Sequence, residues 1–289
     1  MTNISGKNIL LTGASGGLGK YIAQALVKNQ ANVVGVSRSQ KGLETFLADI
    51  ETAGGNGIAI PFDITKVVDL PILVRQVERR VGSVDILINN AGLEIYRAFP
   101  DYSIDEIQAI VSTNLLAAME LSRLFLPKML DRKSGHIVNI ASLASKKGSP
   151  YDSIYSASKA GLLVWSDAIR QELVGTGVEV SVICPGYISQ CGMFVNTGVR
   201  APSFSGTSTP ATVTNAIVQA IKKNQAEVIV SGGLAKDIFT KCFCASIQLY
   251  PILGDIFYRW IGVPTLNKLR VEQTSLPSHY LKQHSITIR

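Results

Sequence analysis

Cysteine is scarce in this chain and badly spaced for a framework. There are four in 289 residues, and Cys184, Cys191, Cys242 and Cys244 form no metal-type double pair. Cys242 and Cys244 are two apart, the wrong spacing for a redox CxxC. Free thiols are expected rather than disulfides. Charge is also thin: 17% of residues are charged against 46% apolar, which excludes a disordered chain. No internal repeat runs at a fixed period, so a solenoid or propeller is excluded. The polar start, Met1–Lys7, lacks the charged, apolar and small-residue regions of a signal peptide, and a cytoplasmic setting is expected.

What is present is alternation. Strand-like and helix-like segments follow one another without a break to about residue 231. The strand-like runs are Asn8–Leu11, Ala31–Val36, Gly57–Pro61, Val84–Asn89, His136–Ala141, Val178–Cys184 and Glu227–Val230. Helical spacing occupies Lys20–Asn29, Leu43–Ala53, Val67–Val81, Ile104–Leu130, Ser153–Val174 and Ala211–Lys223. Pro127 is expected to bend or end the fourth of these, and Asn196–Pro210, dense in Gly, Ser, Thr and Pro, reads as a mobile loop. The pattern predicts an α/β fold with a parallel sheet covered by helices on both faces. It changes at Gly233, so residues 1–232 are read as one unit and 233–289 as an extension.

The first strand runs into Thr12-Gly13-Ala14-Ser15-Gly16-Gly17-Leu18-Gly19 and then a helix. Such a turn aims main-chain N–H groups and a helix N-terminus at a phosphate, and glycine lets the backbone come close. Taken alone, it is also compatible with a structural strand-to-helix turn. The second strand ends in Ser37-Arg38, with no acid before Glu44. An acid there would suit the ribose 2′-hydroxyl of NAD, whereas a neutral residue followed by Arg suits the 2′-phosphate of NADP. NADP(H) is therefore favoured over NAD(H).

Tyr155 and Lys159 are four apart at the start of an apolar helix, so phenol and ammonium share a face. A nearby cation pulls a tyrosine pKa down toward neutrality. In isolation this spacing is no more than a surface pair. Its context adds weight. Ser142 follows the fifth strand, Asn89-Asn90-Ala91-Gly92 ends the fourth, and Pro185-Gly186 ends the sixth. All fall at the carboxyl edge of the sheet, where doubly wound folds bind ligands.

In this order and at these separations, the elements over Lys7–Val230 closely resemble the short-chain dehydrogenase/reductase family. The resemblance implies a doubly wound, Rossmann-type sheet of seven parallel strands. It implies that Tyr155 is the general acid in reduction and the base in oxidation. Lys159 would lower its pKa and hold the nicotinamide ribose. Ser142 would polarise the substrate oxygen, and Asn114 would anchor a relay water. Gly13 and the run Ser15–Gly19 (Ser15, Gly16, Gly17, Leu18, Gly19) would cradle the pyrophosphate. Asp63 and Ile64 would flank the adenine, and Asn90, Ala91, Gly92, Pro185, Gly186 and Ile188 would line the cofactor cleft. The implied reaction is hydride transfer between nicotinamide and a ketone/secondary alcohol pair. One departure stands out: Gln190 occupies the position where family members commonly carry Thr. Ser189 or a backbone group is the expected substitute.

The formal net charge is +7, and residues 233–289 hold seven basic residues against three acids. The same stretch is apolar, through Phe239, Phe243, Ile247, Ile256, Phe257 and Trp260, but Pro251 and scattered charges break it, so a membrane-spanning helix is not expected. Three readings stand. These residues wall a pocket for a hydrophobic or lipid-like small-molecule substrate, or they lie at an anionic membrane surface as a peripheral contact, or they form a dimer contact. A nucleic-acid partner is not expected, because the aromatics are embedded in apolar runs. Dimers and tetramers are usual in the family, paired through the Asn114 and Tyr155 helices, and the extension favours a homodimer here. A non-catalytic nucleotide-binding scaffold is the alternative function.

Overall fold

The computed structural model describes residues 2–202, 205 and 207–274. The chain alternates through β1 (Asn8–Thr12), α1 (Gly17–Lys28), β2 (Asn32–Ser37), α2 (Gln40–Thr52), β3 (Gly57–Pro61), α3 (Leu70–Val81) and β4 (Ile86–Asn89). It continues with α4 (Ile104–Val111), α5 (Ala117–Asp131), β5 (Gly135–Ile140), α6 (Ser153–Glu172) and β6 (Val178–Pro185). Next come β7 (Tyr187–Ile188), α7 (Met193–Asn196), β8 (Thr207–Ser208), α8 (Pro210–Lys223) and β9 (Glu227–Val230). The extension forms α9 (Leu234–Leu249), α10 (Pro251–Trp260) and α11 (Val263–Thr274).

Seven strands make one parallel sheet in the order β3-β2-β1-β4-β5-β6-β9. In register, Leu10 of β1 sits between Val34 of β2 and Leu87 of β4. Helices cover both faces, which is why the strands are nearly all apolar. Ile22 and Leu26 of α1, Phe46 of α2 and Ile217 of α8 pack one face. Leu73 and Val77 of α3 and Leu121 and Phe125 of α5 pack the other. The strand order reverses between β1 and β4, so the ligand crevice of a doubly wound sheet lies outside their carboxyl ends.

The structure corrects three expectations. Helix α1 begins at Gly17, so the last residues of the glycine turn form its first helical turn. Pro127 lies inside α5 and does not end it; the break in the long stretch is instead a π-helical turn at Ser112–Leu116. The segment 196–210 is not a featureless loop, because β8 pairs in parallel with β7. Among the described residues, Ile104–Asp131 is the one helical stretch long and apolar enough to cross a membrane, and its Ile110, Ala117, Leu121 and Phe125 are buried in the fold.

The extension has little core of its own. In α9 and α10 only Ile247 and Gly254 are buried, whereas Asn267 and Arg270 of α11 are fully enclosed against the rest of the molecule. The final residues, 275–289, with Lys282 and Arg289 of the basic count, lie outside the described residues.

Candidate active site

The glycine turn is built by close approach. Gly13 has φ +66°, and a Cβ there would lie 2.8 Å from the Ala91 Cα. The end of β1 and the Asn90–Gly92 segment after β4 therefore meet backbone to backbone. Thr12 and Asn90 lock them. The Asn90 and Ala91 N–H groups each donate to Thr12 Oγ1 at 3.1 Å, and Asn90 Nδ2 donates to the Thr12 carbonyl at 3.0 Å. Ser15 and Ser37 hydrogen-bond through their hydroxyls, joining the turn to the end of β2. Arg38 follows, exposed, at the rim of the same cavity.

That cavity, of about 900 Å³, runs along the carboxyl edge of the sheet. Gly13, Ser15, Gly16, Gly17, Leu18 and Gly19 form one end with Ser37 and Arg38, and Asp63 and Ile64 lie beside them. Asn90, Ala91, Gly92, Pro185, Gly186 and Ile188 line its middle, and Ser142, Tyr155 and Lys159 face it from β5 and α6. The shape suits an extended dinucleotide: a glycine-rich backbone cradle at one end, and titratable side chains at the other.

At the catalytic end, α6 presents Tyr155 and Lys159 on one face. Lys159 Nζ sits 5.7 Å from the centre of the tyrosine ring and donates to the Ile140 carbonyl at 2.8 Å. Burial pushes Lys159 down to about 8, against the pull of Glu94. Tyr155 is pushed well above the usual phenol range by burial first, then by Glu94 and Asp152; a hydrogen bond with Ser142 acts the other way. Protein groups alone thus keep Tyr155 protonated, the form that donates to a carbonyl oxygen.

Asn114 is placed by the π-helical turn, a deviation that frequently marks functional sites. Its Oδ1 accepts from the Leu93 N–H at 2.7 Å, and both amide hydrogens are used, on the Leu93 carbonyl and on Ser158 Oγ, each at 2.9 Å. Its side chain therefore holds the 92–94 backbone against α6. Gln190 is exposed with φ +70° and is not part of the cavity wall. Ser189 donates to the Ser208 carbonyl at 3.1 Å, fastening β7 to β8, so its hydroxyl is already engaged.

Four residues were not foreseen. Glu94, Tyr96 and Asp152 line the cavity beside Tyr155, and Arg270 lies behind them. Tyr96 donates to Glu94 at 2.9 Å. Burial raises Glu94 and lifts Asp152 well above the usual carboxylate range, and Glu94 pushes Asp152 further. In sequence, Glu94 is signalled only by its place two residues beyond Asn90-Ala91-Gly92, and Arg270 is one basic residue of the extension among seven.

The extension supplies the outer wall. Phe239 and Phe243 of α9, Phe257 and Tyr258 of α10, and Ile261 and Val263 line the cavity. Phe243 and Phe257 pack at 4.5 Å between ring centres. The opposite faces of α9 and α10 point to solvent: Leu249 is 76% exposed, and Ile252 64%.

Comparison with known proteins places this geometry. The sequence model of the short chain dehydrogenases matches residues 7–199. Ketoacyl reductase HetN of Nostoc sp. is 57% identical over 272 residues, covering 94% of this chain and 95% of that protein. The 3-oxoacyl-[acyl-carrier-protein] reductase FabG of Vibrio harveyi is 32% identical over 186 residues, covering 64% of this chain and 75% of its own. Among solved structures, a metagenomic short-chain oxidoreductase in complex with NADP aligns with a TM-score of 0.69 at 28% identity, covering 81% of this chain and all of that one. A short-chain dehydrogenase from Streptomyces avermitilis aligns with a TM-score of 0.72 at 27% identity, over 88% of this chain and 98% of its own.

Proposed function

This chain belongs to the short-chain dehydrogenase family and is an NAD(P)-dependent oxidoreductase; from that premise we propose that it uses NADPH to reduce the ketone of 3-oxoacyl thioesters or similarly apolar, lipid-like ketones. One observation carries this reading. A single cavity joins the glycine turn and Arg38, through Tyr155, to the apolar wall of the extension.

Bound cofactor supplies the hydride. Tyr155 gives its proton to the oxygen that becomes the alcohol, and burial keeps that proton in place beforehand. Ser142, at the end of β5, holds the same oxygen and polarises the carbonyl. Lys159, anchored on the Ile140 carbonyl, supplies positive charge beside the phenol. Asn114 fixes the backbone at Leu93 and so the neighbouring Gly92 and Glu94. Ser37 and Arg38 favour NADPH, because the end of β2 offers a cation and no acid to the 2′ position. The names of the similar ketoacyl and 3-oxoacyl reductases support the substrate class.

On the same reading the protein works in the cytoplasm as a homodimer, with peripheral membrane contact through the outer faces of α9 and α10. Leu116 and Val164 are 43% and 68% exposed where the turn before α5 and helix α6 lie side by side, which suits a dimer seam. Lys236, Lys241 and Arg259 are exposed on the apolar extension, which suits an anionic lipid surface. The test is NADPH oxidation with 3-oxoacyl thioesters of increasing chain length. Turnover with kcat/KM rising with chain length is expected; turnover of other ketones but of no 3-oxoacyl thioester would remove the substrate class.

A further inference from the structure

A fully buried arginine near the end of an extension whose first two helices are mostly exposed needs a reason. Enclosing a charge is costly unless the surroundings replace its water. The Arg270 guanidinium lies 5.4 Å from the ring centre of Tyr96, 5.5 Å from Tyr187 and 5.2 Å from Phe194. It donates to the Arg200 carbonyl at 3.0 Å and to Asn267 Oδ1. Asn267, one turn earlier on α11, donates through Nδ2 to Ser149 Oγ at 2.8 Å and to the Pro150 carbonyl at 2.7 Å.

These partners sit on three separate loops. Tyr96 follows β4 in the segment that carries Glu94. Ser149 and Pro150 follow β5 in the segment that carries Ser142 and Asp152. Tyr187, Phe194 and Arg200 follow β6. Tyr96, Ser149, Tyr187 and Phe194 themselves line the substrate end of the cavity. Two of these loops also meet main chain to main chain, Arg97 N–H donating to the Tyr151 carbonyl at 2.9 Å, and Tyr187 and Phe194 stack edge to face at 4.9 Å within the third; the α11 pair reaches all three.

We propose that Asn267 and Arg270 are positioning residues that set substrate selectivity by latching together the three loops that wall the substrate end. The planar guanidinium fits this task, since it stacks on rings and directs N–H groups to carbonyl oxygens at the same time, which an ammonium does not. The latch belongs to the extension. The short chain dehydrogenase match, residues 7–199, ends before it, whereas a 272-residue match to HetN cannot stop short of the C-terminal helices. Selectivity is thus a property the extension adds to a shared catalytic end. The inference rests on the reductase reading above.

Arg270→Met, Arg270→Lys and Asn267→Ala test it. Short and long 3-oxoacyl thioesters are compared in steady state, NADPH affinity is titrated, and amide hydrogen exchange is followed at 93–97 and 187–200. For Arg270→Met the long-chain KM is expected to rise about tenfold or more, with kcat for the short thioester and NADPH affinity little changed. Exchange in both segments should quicken, and Arg270→Lys should recover part of the selectivity. Unchanged selectivity and exchange would overturn the proposal. So would equal losses on both substrates with weakened NADPH binding, which mark a purely stabilising residue. If the wild-type protein reduces no 3-oxoacyl thioester, the reductase reading fails by itself; exchange in the two segments, with NADPH affinity held, then decides whether the latch exists.

Discussion

The two ends of the cavity are built by opposite means. At the cofactor end, β1, the glycine turn and α1 are consecutive, and the contact that matters is main chain against main chain, Gly13 against Ala91. At the substrate end, Glu94, Asp152, Tyr187, Phe243 and Arg270 come from five separate stretches, and it is their side chains that shape it. Phosphate recognition works with the main-chain N–H groups that every residue except proline possesses, so a spacing of glycines suffices. Selectivity works with side-chain shape, so it depends on where distant segments dock.

If this division holds, changes at the catalytic and cofactor end act on every substrate alike, and changes in the extension act on some. The largest effect is expected for Tyr155→Phe: kcat falls by roughly 10²–10⁴, the worth of a positioned proton donor, while NADPH still binds. Full activity in that variant would remove the proposed mechanism. Gly13→Val forces a branched side chain into φ +66° and onto the Ala91 backbone. Strain of about 1–3 kcal/mol should lower the unfolding temperature, and NADPH titration should show binding lost for every substrate tested.

Turnover is expected to fall as pH rises through about 8, because Lys159 is cationic only below that value. Glu94 raises Lys159, so Glu94→Gln should move the fall to lower pH in a pH–rate profile; an unmoved profile would separate the acid from the catalytic end. Arg38→Ala should cut the NADPH-over-NADH preference about tenfold, the scale of one charge-assisted hydrogen bond. An unchanged ratio would leave that preference without a basis. The smallest effect belongs to the outer surface: Ile252→Ser with Ile256→Ser should weaken flotation on anionic vesicles by about threefold to tenfold without altering turnover of the acetoacetyl thioester. Equal flotation would end the membrane reading and leave the pocket wall standing.

How much was legible follows from how local each feature is. Tyr155 and Lys159 could be paired on paper because four residues make one helical turn, and Ser142 and Asn90–Gly92 could be placed at one edge because parallel strands all end on the same side. Arg38 could be read from its distance beyond β2. Glu94 and Asp152 could not, since nothing in either segment says that the two carboxyl groups meet. The same holds for Arg270: in sequence it is one of seven basic residues of the extension, and only docking of α11 turns it inward. Gln190 shows the reverse case, a departure conspicuous in sequence that the fold turns away from the cavity.

By itself, then, the sequence determined the parallel sheet, the glycine turn after its first strand and the placing of Tyr155 and Lys159 on one helix face, because periodicity, glycine spacing and strand ends act within a few residues of chain. Tertiary structure alone decided that burial and two neighbouring acids hold Tyr155 protonated, and that the extension turns one face to the cavity and the other to solvent. It also decided that a buried arginine ties three loops together. Each of these depends on desolvation and on contacts between segments far apart in sequence, and neither can be read from any single stretch of the chain.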